Sequence, residues 1–274
     1  MPTEFKVINQ EQLLSFLFNN LKYSKKEIKS FLKYGSILVN NRVVTKYDYV
    51  LRKNDIVSLN VYNKDKNISI LYEDSDIIVV DKPHSMLVVS SLKKDEVTLY
   101  NLVSDYVKRS NRKNKIFIVH RLDYETSGVI VFAKTEKIKN LLQDNWNSLV
   151  INRKYVAIVE GKVKESGTIK SYLKENKNHY VYSSNNGKLA ITNYKRIKED
   201  SKYSWVDIDI KTGRKNQIRV HFKELGNSIV GDKKYGHVNK EYNRLCLHAY
   251  ELSLINPLNN EKMVFKSPMP KIFN

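Results

Sequence analysis

The stretch from Ile116 to Thr135 constrains the fold more than any other part of this chain. Two apolar runs rich in β-branched residues, Ile116–Val119 and Gly128–Ala133, flank the polar segment His120-Arg121-Leu122-Asp123-Tyr124-Glu125-Thr126-Ser127. This pattern predicts strand, turn-like break, strand, with Ser127-Gly128 closing the break. A carboxylate at the end of a buried strand is held by a rigid scaffold and still reaches a cleft. Arg121 lies two residues before Asp123, so in an extended segment both side chains point to one face. An arginine there would keep Asp123 ionised, as a nucleophile or base requires. The same residue types are also ordinary turn formers, and a neighbouring Arg and Asp can form a purely structural pair.

With 274 residues the chain is long enough for one large domain or a small and a larger one, and 41% hydrophobic residues mark it as globular. The formal net charge of +19 points to a polyanionic partner. An A/T-rich genome, which also favours Asn, Tyr and Ile, is the alternative source of the lysines. Counted to Lys66 there are 12 basic and 6 acidic residues, so the remaining 36 and 23 leave both parts positive. The 18 Tyr and 9 Phe include enough rings for base stacking, although most belong to core or boundary positions. A single cysteine, Cys246, excludes an internal disulfide and a four-cysteine zinc site and sits in an apolar run that predicts burial. The N-terminus has no signal pattern and no apolar run approaches a membrane span, so a cytoplasmic protein without membrane contact is expected.

Residues 10 to 61 read as a compact α+β unit. Leu13, Leu14, Phe16, Leu17 and Leu21 form a helical stripe, and Ser24 is placed to cap a second helix over 25–34. That helix buries Ile28, Phe31 and Leu32 and leaves Lys22, Lys25, Lys26, Lys29 and Lys33 for solvent or phosphate. Gly35 ends it, a hairpin follows over 37–44 with Arg42 on its second strand, and a strand starts at Ile56. Residues 63–67 are polar and aperiodic and read as a linker. Strands are then expected at 68–71 and 77–80, the latter running into Lys82-Pro83-His84-Ser85. Helices are expected over 97–108 and 136–149, and a strand opening after Lys154 and ending at Gly161. Further strands fall at 168–173, 190–197 and 204–210, with 179–187 as a polar surface loop. Thr212 is placed to cap a helix carrying Lys215, Arg219 and Phe222. Gly231–Gly236 reads as a turn, followed by a strand to Leu254 and another at 263–265. No phosphate-binding glycine loop, dinucleotide turn, HExxH or CxxC is present, and the six histidines are scattered, so neither cofactor nor metal is expected.

Six of these segments carry a family resemblance. HRLDYETSGVIVFAK resembles the signature of the RluA-type RNA pseudouridine synthases, whose pattern is HRLD, two variable residues, TSG and an apolar strand. RKYVAIVEG, TGRKNQIRVH, GDKKYG and LHA resemble further motifs of that family, as does the strand leading into Lys82-Pro83. Two positions depart from the pattern. His84-Ser85 stands where Ala-Gly is common, and Asn216 stands where histidine is usual. The first unit resembles the ribosomal protein S-four-like RNA-binding module, with SILVNNRVV and RKNDIVSL as the matching segments and Asn54 in place of its usual glycine.

The resemblance implies a small N-terminal α+β RNA-binding domain (1–62), a linker (63–67) and a larger catalytic domain (68–274). The larger domain would hold a mixed, mainly antiparallel β-sheet flanked by helices. It implies conversion of uridine to pseudouridine in RNA by a monomer, with ribosomal RNA favoured and transfer RNA the alternative. Asp123 would be the catalytic carboxylate, Arg219 its partner and Tyr155 the active-site tyrosine. His120, Arg121, Arg214, Lys25, Lys26, Lys29, Lys33 and Arg42 would contact RNA, with Arg121 filling the gap left by a flipped base. Two other classes remain open on the residues alone. One is a non-catalytic RNA-binding or ribosome-assembly protein. The other is a glycoside hydrolase using Asp123 and Glu125 as paired carboxylates.

Overall fold

The computed structural model describes residues 3–33, 35–40, 42–59, 68–90, 97–239 and 241–274; the segment read as a linker lies outside them, as does the side chain of Lys33. The chain divides into two compact units, one built from Met1–Ile68 with Val89–Arg109 and the other from Ser69–Val88 with Ser110–Asn274.

In the first unit β1 (Thr3–Lys6), β6 (Ile56–Leu59), β3 (Ile37–Val39) and β4 (Arg42–Val43) form an antiparallel sheet in that order, and β2 (Glu11–Gln12) pairs with β5 (Val50–Leu51). Helices α1 (Leu13–Asn20) and α2 (Lys25–Lys33) supply the other half of the core. Leu13, Phe16, Leu17, Leu21, Ile28 and Leu32 pack with Ile37, Val39, Val57 and Leu59, which is the stripe expected from the helical periodicity. Ser24 and Glu27 form a reciprocal capping box: the Glu27 carboxylate accepts from the Ser24 amide at 2.8 Å, and the Glu27 amide donates to the Ser24 hydroxyl at 3.3 Å. Lys25, Lys26, Lys29 and Arg42 are exposed. Helix α3 (Leu99–Ser110) is amphipathic and buries Leu99, Val103, Ser104 and Val107.

The second unit is organised by an eleven-stranded sheet. Its strands are β7 (Ser69–Glu73), β8 (Ile77–Lys82), β9 (Phe117–Ile118), β10 (Ser127–Ala133), β11 (Val150–Glu160), β12 (Ser166–Glu175), β13 (Val181–Ser183), β14 (Lys188–Glu199), β15 (Tyr203–Ile210), β16 (Leu247–Ile255) and β17 (Lys262–Lys266). The main order is β13-β12-β14-β15-β11-β16-β10-β8-β7, with β9 on β10 and β17 on β16. All pairings are antiparallel except β10 with β16. The expected mixed, mainly antiparallel α+β architecture is therefore the one observed. β10 is buried at every position, as its unbroken apolar run demands, whereas β12 alternates over most of its length and shows one face to solvent. Helix α4 (Glu136–Asp144) places Ile138 and Leu142 against Val129, Val131 and Leu252, and α6 (Gln217–Glu224) places Phe222 against Tyr194 and Val220 against Leu173 and Ala190.

Several expectations are corrected. The helix expected over 136–149 is two, α4 and the one-turn α5 (Trp146–Leu149), because Asn145 leaves helical geometry at φ −110°, ψ 18°. β11 starts at Val150, not after Lys154, so Tyr155 sits in mid-strand; antiparallel pairing with β16 accommodates Arg153, and partners on both sides accommodate Lys154. The loop expected at 179–187 contains β13, anchored by buried Val181. Helix α6 begins at Gln217, and its N-cap residue, Asn216, is left-handed at φ 53°, so Thr212 is not the cap. Thr212 instead accepts from the Ile191 amide and donates to Gln217.

Gly128 is where the parallel pair closes. Its φ is +120°, and a Cβ there would lie 2.1 Å from the Ala249 carbonyl oxygen. Beside it, buried His248 bridges Ser127 (2.8 Å) and Ser267 (3.1 Å), while buried His221 bridges Thr192 (2.9 Å) and Ser171 (3.1 Å).

Two outcomes follow. Gly128→Ala forces β10 and β16 apart and lowers stability by at least about 3 kcal/mol in urea titrations. Burial holds the imidazoles of His221 and His248 down at about 4 and that of His120 at about 3, against an ordinary 6.5. Between those values the unfolded chain takes up protons that the folded one refuses, so stability is full above about pH 6.5 and is lost on acidification toward pH 4. Melting curves from about pH 7 down to about pH 5 should fall steadily; a flat series would contradict buried neutral histidines.

Candidate active site

The segment between β9 and β10 is irregular, and the second unit pins it from behind through Lys82. This side chain is fully buried at the end of β8. Its Nζ donates to the carbonyls of Pro83 (3.0 Å), Met86 (2.8 Å) and Tyr124 (3.0 Å), and the Met86 amide donates to the same Tyr124 carbonyl at 3.1 Å. Burial pushes the Lys82 ammonium down to about 7, the nearby Asp123 opposing that fall and Arg244 adding to it. Three carbonyl acceptors match the three N–H bonds that only the ammonium form offers. Lys82 thereby fixes the backbone on either side of the break at Pro83 and the residue next to Asp123.

Asp123 itself is partly exposed, with 26% of its side chain accessible. The expected pairing with Arg121 does not form. The chain at 119–123 belongs to no strand, and Arg121 is exposed without an ion pair among the described residues. The cation facing Asp123 is Arg219, on the first turn of α6, with Nη1 3.8 Å from Asp123 Oδ2. Arg219 is buried, and its main partner is Asp232: Nε and Nη2 each reach that carboxylate at 2.7 Å, and Nη2 also reaches Glu125 at 3.0 Å. Burial alone would lower the guanidinium's pKa; the Asp232 pair, with Asp123 and Glu125 behind it, reverses this and raises it.

In the sequence Asp232 reads only as one residue of a turn. It is fully buried, and besides Arg219 its Oδ1 accepts from the amides of Lys234 and Tyr235, both at 2.9 Å. Asn216 Nδ2 donates to Asp123 Oδ2 at 2.7 Å, so the departure from the expected histidine falls on a direct contact of Asp123. The glycine preceding Asp232 was the available signal: Gly231 has φ +75°, and a Cβ there would meet the Arg244 carbonyl at 2.1 Å.

Tyr155 is half-buried on β11, and among the described residues its hydroxyl has no hydrogen-bond partner. Burial pushes its phenol up to about 12, with Arg153 opposing and Asp123 adding to the rise, so the ring is neutral near pH 7 and close enough to feel the Asp123 charge. Asp123, Arg219 and Tyr155 are thus electrostatically coupled across three elements. The other named residues lie apart. His120 turns inward, stacking on Trp146 at 4.9 Å and accepting from the Val131 amide at 3.2 Å. Arg214 is exposed and donates to the Leu189 carbonyl at 2.9 Å. Among the described residues no group of three or more His, Cys, Asp or Glu is arranged to hold a metal ion, and no helix is long and apolar enough to cross a membrane.

Comparison with known proteins shows the family. The family described as RNA pseudouridylate synthase matches residues 76–224, which include Lys82, Asp123, Tyr155 and Arg219. RNA pseudouridine synthase YhcT of Bacillus subtilis (strain 168) is 31% identical over 281 residues, covering 96% of this chain and 93% of the relative. Ribosomal large subunit pseudouridine synthase D of Buchnera aphidicola subsp. Baizongia pistaciae is 31% identical over 285 residues, covering 95% and 89%. In fold, the chain is similar to human RNA pseudouridylate synthase domain containing 4, at a TM-score of 0.62 and 22% identity, over 75% of this chain and 90% of that one.

Removing the Asp232 charge leaves Arg219 buried against two partly exposed carboxylates. Asp232→Asn should cost about 3 to 5 kcal/mol, read from the urea midpoint at unchanged slope. A loss below about 1 kcal/mol would mean that Asp123 and Glu125 alone can hold the guanidinium.

Proposed function

The chain belongs to the RluA-type family of RNA pseudouridylate synthases, and on that premise we propose that it isomerises uridines of large-subunit ribosomal RNA with Asp123 as the catalytic carboxylate. The observation that carries the assignment is the setting of Asp123: it ends the HRLD motif, stays partly open to solvent and faces a buried arginine whose other bonds are already made.

The reaction breaks the N1–C1′ bond, turns the uracil and joins C5 to C1′; the proton leaves C5 and N1 gains one, so no oxidant or reductant is needed. A carboxylate suits this, because it can act on the sugar or base and be released unchanged. Arg219 supplies the positive charge that faces Asp123. Tyr155 offers a neutral ring for stacking on uracil and an uncommitted hydroxyl. A phenol pushed up to about 12 is a poor base in the resting enzyme, so the ring's first role is to hold the base. The target edge is closed in a stacked helix, which requires the nucleotide to flip out, and exposed Arg121 stands two residues from Asp123 to fill the vacancy. The exposed Lys25, Lys26, Lys29 and Arg42 of the first unit, within a chain of net charge +19, provide phosphate contacts for an RNA-binding module at the N-terminus. Ribosomal RNA is the substrate class named for the Buchnera relative.

The test is to incubate wild type and Asp123→Asn with unmodified ribosomal and transfer RNA transcripts, and to map pseudouridine by carbodiimide treatment and primer extension. Wild type should modify a discrete site in large-subunit ribosomal RNA, and the variant should be slowed by more than about a thousandfold. Sites on transfer RNA alone would overturn the substrate; an active variant would overturn Asp123. Free uracil in the supernatant would point instead to a hydrolase.

A further inference from the structure

We propose that Asn216, oriented by Tyr235, is the residue that aims the Asp123 carboxylate, and that Arg219 neutralises Asp123 without orienting it. This rests on the reading of Asp123 as the catalytic carboxylate. The argument is one of hydrogen-bond direction. The Val181 amide donates to the Tyr235 hydroxyl oxygen at 3.0 Å, which commits one lone pair there and leaves the phenolic hydrogen to go elsewhere. That hydrogen points to Asn216 Oδ1 at 3.1 Å, and Lys234 Nζ approaches the same oxygen at 3.4 Å. With two donors on its oxygen, the Asn216 amide has one sensible orientation, and its NH2 end meets Asp123 Oδ2 at 2.7 Å. Flipping the amide would set N–H against N–H and O–H, and oxygen against carboxylate. The chain Val181 to Tyr235 to Asn216 to Asp123 is therefore polarised from a backbone amide to an anionic acceptor.

Arg219 cannot do this job. Its Nη1 is 3.8 Å from Asp123, beyond hydrogen-bond distance, and Nε and Nη2 are spent on Asp232 and Glu125. Among the described residues Asn216 is the only side chain that donates to Asp123, and it holds Oδ2 alone. Oδ1 is left as the oxygen presented to the sugar or base. Asn216 is itself nearly buried, at 7% exposure, and its left-handed φ of 53° is a conformation that Asn tolerates well. A turn-forming role by itself would explain the backbone. It would not explain why both ends of the amide are engaged.

The backbone and side-chain roles separate by substitution. Asn216→Gly keeps the left-handed turn and removes the amide, Asn216→His restores an N–H donor, and Tyr235→Phe keeps the ring and removes the orienting hydroxyl. Each is assayed beside Asp123→Asn in single-turnover reactions with enzyme in excess over a transcript that the wild type modifies, reading the saturating rate and the half-saturating concentration separately. Asn216→Gly should lose about a hundredfold in rate with half-saturation within about threefold, as misplacement of a reacting group predicts. Asn216→His should recover to within about tenfold of wild type, and Tyr235→Phe should lose about tenfold in rate alone. A wild-type rate for Asn216→Gly would overturn the proposal, as would losses confined to half-saturation. If Asn216→Gly fails to melt cooperatively, Tyr235→Phe and Asn216→His decide in the same way. An active Asp123→Asn would bring down the catalytic assignment itself; an inactive Asp123→Asn beside a normal Asn216→Gly would remove only this inference.

Discussion

The buried pair of Arg219 and Asp232 is the interaction on which the rest of the site depends. A guanidinium inside a protein is tolerable only with its donors met by acceptors of opposite charge, and Asp232 meets two of them in parallel. The pair does more than offset desolvation. The same Asp232 carboxylate caps the amides of Lys234 and Tyr235, so one buried charge shapes the turn that delivers the Tyr235 ring and hydroxyl. That hydroxyl meets Asn216 at the start of the helix that carries Arg219. The turn and the helix therefore define each other, and Asp123 is held where they meet.

A second clamp acts from the opposite side of the sequence. Lys82 and Gly128 are cross-strand partners on β8 and β10, and Gly128 is at the same time the point where β10 meets β16. Lys82 turns its ammonium back onto the Tyr124 carbonyl, beside Asp123. The parallel β10–β16 contact needs a residue without Cβ, and the Ser127–His248–Ser267 bridge satisfies the polar groups buried beside it. Asp123 is thus placed from behind by a sheet and from the front by a helix. That is the arrangement a reaction sensitive to sub-ångström placement requires of its scaffold.

Much of this was legible in the sequence, and the exceptions have physical causes. The helical stripe of α1 and the apolar run of β10 are local signals that local burial obeys, whereas the alternation expected at 204–210 holds only from Val206 on, Ser204 and Trp205 both being buried. The start of β11 was not legible because Asn152 and Arg153 are strand residues only by virtue of partners on β16, and Lys154 by partners on β15 and β16. The cap of α6 was misplaced onto Thr212 because a threonine before a helical pattern is the commoner signal, whereas a left-handed Asn leaves none. Within the site, the contacts of Asp123 are with Asn216 and Arg219, about ninety residues away in sequence; no spacing rule reaches that far, so Arg219 was reached only through the family resemblance and the Asn216 contact not at all. An Arg121–Asp123 pair would need strand geometry to put both side chains on one face, and residues 119–123 lie outside any strand.

The charge distribution has its own logic once the site is in view. The chain as a whole carries +19, which draws a polyanion toward it from a distance. Around Arg219 stand three carboxylates, Asp123, Glu125 and Asp232, and they are why its pKa is raised despite its burial. Two ammonium groups answer them, because Lys82 and Lys234 both lie close enough to interact with the Asp123 charge. The site is therefore a mosaic of opposed charges, and its groups act by holding one another in position. Attraction of a polyanion falls instead to the lysines and arginines spread over the exposed surface.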